Sequence, residues 1–187
     1  MQLMNHFFLF MQELMNNSIW LSLLLVLICA IVTDIYERKI LNVLIVLGLV
    51  GGLIGQLLLP QGLGFLQWGI GVVIGFICFF PLYSLRAMAA GDVKLMMVVG
   101  GFLGFPLVLT AALYSYVAGG IMAIIIVLAK GRLKQVAHNI KMILTPLYIR
   151  AISGVDVSDG LIKQVSVGRM PYAVAIGAGT LLTLYLN

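Results

Sequence analysis

Charge is the scarcest property of this chain. Lys, Arg, Asp and Glu make up 9% of its 187 residues, against about 25% in an ordinary soluble domain. A soluble fold would leave the long apolar runs with nowhere to hide. Several runs approach the about 20 residues that cross a bilayer as a helix. The composition therefore predicts an all-α, polytopic membrane bundle, with residues 1–187 forming a single membrane-embedded domain.

Cysteine is nearly absent too. Cys29 and Cys78 lie far apart inside apolar runs, and no C-x-x-C pair exists. That excludes a cysteine-built zinc site and leaves two small buried hydrophobes. The two histidines, His6 and His138, stand alone without metal-ligand spacing. Nothing in the sequence calls for a metal or a cofactor. The opening "MQLMNHFFLFMQELMNN" contains no Lys or Arg, so it lacks the basic start of a cleaved signal peptide. Residues 1–17 are expected to form an interfacial segment.

Six apolar segments are present, at about 18–35, 41–59, 66–84, 93–105, 107–129 and 170–186. "GFP" at Gly104 to Pro106 predicts a tight turn that makes a helical hairpin of the fourth and fifth. The eleven basic residues sort by loop. Arg38 and Lys39 follow the first segment, and Arg86 and Lys94 flank the start of the fourth. The rest fall between the fifth and sixth. The alternate loops and both ends carry none. Lys and Arg are retained on the cytoplasmic side, so both termini are expected outside the cytoplasmic membrane and those three loops inside.

The net charge of +5 is thus a topology signal beside anionic lipid; it does not imply a nucleic-acid partner. In the long inner loop, 130–169, Leu133, Val136, Ala137, Ile140, Ile143 and Leu144 recur at helical spacing. They predict a basic amphipathic helix on the inner membrane surface. Glycines four apart (Gly48 and Gly52, Gly71 and Gly75, Gly100 and Gly104) predict close helix packing.

Acids are the rarest charges, six in all. Glu13 falls in the outer segment, and Glu37 sits beside Arg38 and Lys39. Asp156 and Asp159 fall in a polar turn, where Asp is common. That leaves Asp34, at the inner end of the first segment, and Asp92, at the inner start of the fourth. The charge pattern places both at one level of the bilayer. Ionisable residues inside membranes are candidates for function. Two carboxyls in one low-dielectric site hold a single proton between them; one can then take a proton from water while the other polarises a carbonyl. The bland alternative is equally open at this point. Asp92 could cap its helix, and Asp34 could pair with Arg38 one turn on. Lys94, two residues past Asp92, points away from it on a helix and can snorkel to headgroups. Gly91 permits a sharp turn or a close approach.

Two segments carry a family resemblance. "AAGDVKL" (Ala89 to Leu95) resembles the G-x-G-D-V-K-L motif of type IV prepilin peptidases. "DIYERKILN" (Asp34 to Asn42) resembles that family's other catalytic segment, an aspartate followed six residues on by I-P-N. Here Ala89 stands for the first glycine and Leu41 for the proline. "RMPYAVAIGAGTLL" is similar to the family's final span, and the likeness covers about residues 18–187. The resemblance implies a membrane aspartic endopeptidase that removes prepilin leaders, with Asp34 and Asp92 as the catalytic pair and Gly91 shaping the motif loop. Lys94, Asn42 and Glu37 are candidates for substrate binding or motif shaping. The cysteine-rich cytoplasmic region of larger members has no counterpart here. The chain is thus similar to short forms that serve Flp-type pili, with peptidase activity alone expected. The implied partners are a prepilin, membrane lipid and pilus or secretion assembly proteins. Two other classes fit two membrane carboxyls: a small proton-coupled transporter, and a non-catalytic assembly subunit.

Overall fold

A computed structural model describes residues 18–58, 64–85, 87–129, 131 and 170–186. The expected interfacial segment, the amphipathic helix, His6, Glu13, Arg86, His138, Asp156 and Asp159 lie outside the described residues.

The described chain is helical throughout: α1 (Ser18–Glu37), α2 (Asn42–Leu58), α3 (Phe65–Ser84), α4 (Ala90–Leu103), α5 (Leu107–Ala129) and α6 (Tyr172–Leu186). The chain divides into two compact units, one of Met1–Gly119 with Pro171–Asn187 and one of Gly120–Met170.

Three helices are long and apolar enough to cross a membrane: Ile19–Glu37, Phe65–Ser84 and Leu107–Ala129. These are the three found among the described residues; about six transmembrane helices are expected from the apolar segments, and six helices are described, of which three reach spanning length. The helices Asn42–Leu58 and Tyr172–Leu186 are apolar but shorter. The 14-residue α4 is about 21 Å long at 1.5 Å per residue, well under the about 30 Å of a hydrocarbon core. Its apolar character has another cause: it is the centre of the bundle. Ten of its residues are buried, on all sides of the helix. A helix that is hydrophobic all round is one packed inside protein or lipid.

Small residues let neighbours grip α4 from two sides. On α2, Gly48 lies against Val98 and Gly52 against the ring of Phe102. On α3, a Cβ at Gly71 would collide with the backbone of Gly100, and one at Gly75 with the backbone of Met96. The paired glycines thus meet residues that are themselves four apart on α4, as close packing of helices requires. Polar ties lock the same layer. The buried Gln56 side chain donates to the carbonyl of Phe102 at 2.7 Å, and the Trp68 indole donates to the carbonyl of Leu49 at 3.2 Å.

The turn expected at 104–106 is present. Gly104 has φ 67°, a left-handed conformation that suits glycine, and its N–H bonds the carbonyl of Gly100 at 2.8 Å. The chain reverses there, and Val108 packs back on Gly100. Cys29 and Cys78 are half-buried and form no disulfide.

Candidate active site

Asp34 occupies the last turn of α1. The helix ends just beyond it. Arg38 takes φ 54°, and its N–H still reaches the Asp34 carbonyl at 3.0 Å. A left-handed residue is a common way to stop a helix. A carboxylate in a last turn faces the negative end of the helix dipole. Here α6 offsets that. The N–H of Ala173 donates to Oδ2 of Asp34 at 3.0 Å. Ala173 is in the first turn of α6, where N–H groups lack helical acceptors and the dipole is positive. The side chain of Asp34 is therefore held by α6 and not by Arg38.

Asp92 is the third residue of α4. Its Oδ2 accepts the N–H of Ala89 at 3.0 Å, and its own N–H donates to the Ala89 carbonyl at 3.1 Å. The helix thus begins three residues before the sequence pattern placed it. An acid in a first turn is favourable to the dipole, so Asp and Gly here open a helix and do not mark a loop. Ala89 has φ −83° and ψ 156°, an extended geometry open to any residue, so the position has no need of glycine.

Both carboxyls are nearly sealed, Asp34 at 7% exposure and Asp92 at 5%. They lie within electrostatic reach of one another. Capping does not remove Asp92 from reach of the other acid: one oxygen caps the helix while the carboxyl stays within electrostatic range of Asp34.

The segments around the two aspartates also touch. A Cβ at Gly91 would come within 3.3 Å of the Cβ of Ile40, so glycine lets the start of α4 lie against the stretch after α1. Lys94 donates to Oδ1 of Asn42 at 2.9 Å. That pair does not join the carboxyls, because Lys94 stands about 200° round the helix from Asp92. Glu37 is exposed at the end of α1 and does not join them either.

An aromatic cluster lies next to the pair, and no sequence pattern had singled it out. Fully buried Phe79 stacks on Tyr116, with ring centroids 5.0 Å apart, and meets Tyr172 edge-on at 6.1 Å. The Tyr116 hydroxyl donates to the carbonyl of Cys78. Tyr172 packs on Gly119 and lies within electrostatic reach of Asp92. The sequence hint was the segment "RMPYAVAIGAGTLL", in which Pro171 and Tyr172 stand at the start of the final helix.

Comparison with known proteins adds one finding. A family model described as the type IV leader peptidase family matches residues 21–124, a stretch that contains both aspartates, Gly91, Asn42 and Lys94. No curated protein and no solved structure matches the chain.

Proposed function

The chain belongs to the type IV leader peptidase family, whose model covers more than half of it, and on that premise we propose that Asp34 and Asp92 are its catalytic pair. Family membership makes the protein a membrane-bound peptidase acting on prepilin-type substrates. The observation that carries the catalytic reading is that two buried carboxyls, from α1 and α4, lie within electrostatic reach of one another.

The chemistry follows from one proton shared by two acids. The ionised carboxyl accepts a proton from water as the water oxygen attacks the scissile carbonyl carbon. The protonated carboxyl gives its proton to the carbonyl oxygen. The tetrahedral adduct then collapses: the first carboxyl gives the proton it took from water to the leaving amine as the C–N bond breaks, and the second takes a proton back from an adduct hydroxyl as the new carboxyl group forms. The pair ends with the single proton with which it began. No cofactor enters the cycle.

The leader is cut at the cytoplasmic face, where the basic residues fall by the positive-inside pattern. Both termini then lie outside. The exposed carboxylate of Glu37 suits contact with a basic leader. The substrate is an Flp-type prepilin, and removal of its leader is the reaction.

The test is incubation of the pure protein in detergent with a prepilin. Cleavage without other components supports the reading, as does its loss in Asp34→Asn with the protein still inserted. A pure, folded protein that never cuts, yet takes up protons or solute in vesicles, would reject it.

A further inference from the structure

On the side of α4 away from the two aspartates, α2, α3 and α4 enclose a groove of about 550 Å³. Its walls include Val46, Leu49, Phe76, Phe80 and Met97, and Asn42 and Lys94 stand at one end. Val46 is 57% exposed and Phe80 44%, so the groove opens sideways, towards whatever surrounds the bundle.

Its size argues against a helix as occupant. From Asn42 to Leu49 is about 10 Å of helix rise, while a helix is about 10–12 Å across and needs about 30 Å to span the hydrocarbon. An acyl chain of one leaflet, about half the hydrocarbon thickness in length, can lie along this slot for about two thirds of its length. The polar end then decides what such a chain carries. The ammonium of Lys94 uses one of its three N–H donors on Asn42 Oδ1. Among the described residues it has no acidic partner. The amide nitrogen of Asn42 offers further donors beside it. A cation and an amide at the mouth of an apolar slot complement an oxyanion attached to a hydrocarbon tail.

We propose that this groove binds one anionic phospholipid, with its phosphodiester on Lys94 and Asn42 and an acyl chain along Val46, Leu49, Phe76, Phe80 and Met97. The site is separate from the carboxyl pair and does not depend on its role. A lipid seated there touches α2, α3 and the first turns of α4 together.

The test is native mass spectrometry of the detergent-purified protein with phosphatidylglycerol or phosphatidylcholine of identical chains. The wild type is expected to retain the anionic lipid several-fold better. Lys94→Gln should reduce that retention to the zwitterionic level, and Val46→Trp, which fills the slot, should weaken both. Leu113→Trp on exposed α5 surface serves as the control and should change neither. A photo-crosslinker at Phe76 should label phospholipid in membranes. Equal retention of the two lipids, a preference untouched by Lys94→Gln, or labelling of prepilin in place of lipid would overturn the proposal. Thermal melting of each variant separates loss of lipid from loss of fold.

Discussion

The backbone N–H of Ala173 donates to Oδ2 of Asp34, joining residues 139 apart in sequence. The bond ties the end of α1 to the start of α6 and gives one carboxyl a fixed orientation. It also sets apart two effects that mutation of Asp34 would otherwise confuse. An amide side chain can still accept this bond through its oxygen, but it cannot act as a base.

Asp34→Asn should therefore be inactive yet nearly as stable as wild type. Asp34→Ala should be inactive and also less stable by about 1.5–3 kcal/mol, the usual worth of a hydrogen bond to a charged group. Thermal melts in one detergent, beside a prepilin cleavage assay, check both. Equal melting points for the two variants would mean that the Ala173 bond contributes nothing.

Position matters more than residue type in the motif that opens α4. Gly91→Ala places a methyl about 3.3 Å from the Cβ of Ile40, so that Ile40 must shift, and should slow cleavage. Ala89→Gly should leave cleavage unchanged, because the backbone there is extended and glycine is also accepted before a helix. Rates for the two single variants are the readout.

The glycines of α3 should divide in the same manner. Gly71→Ala drives a methyl into the backbone of Gly100 and should lower stability by at least about 1–3 kcal/mol. Gly69 has nothing within 4 Å of a built Cβ. Gly69→Ala should raise stability by about 0.4–1 kcal/mol through the unfolded chain. Melting temperatures of both variants decide the point.

A pair that works with one proton should give cleavage a pH optimum with a fall on each side. Loss of the general base on the acid side and of the general acid on the alkaline side would give the two falls. Single-turnover rates across pH measure this. A rate that levels off on one side would point to a single working acid.

Much of this was written in the residue order. The runs of apolar residues placed α1, α2, α3 and α5 within a few residues of their ends, because lipid and core both select for them. The scarcity of acid singled out Asp34 and Asp92. Other features left no trace. The bond from Ala173 comes from the backbone, which every residue but proline has, so no side-chain pattern could announce it. Phe79, Tyr116 and Tyr172 look like any aromatics in an apolar run until three helices bring them together. The apolar run of α4 alone does not tell protein from lipid around it, because residues buried in protein on every side are as apolar as residues in lipid. The groove beside Lys94 is shaped by three helices at once and belongs to none of their sequences.

The most direct measurement is a double-mutant cycle on cleavage, with wild type, Asp34→Asn, Asp92→Asn and the double variant compared at equal insertion and folding. If the two carboxyls act as one unit, either single substitution removes as much activity as both together. Losses that multiply independently, or a single variant that keeps most of its activity, would contradict the account.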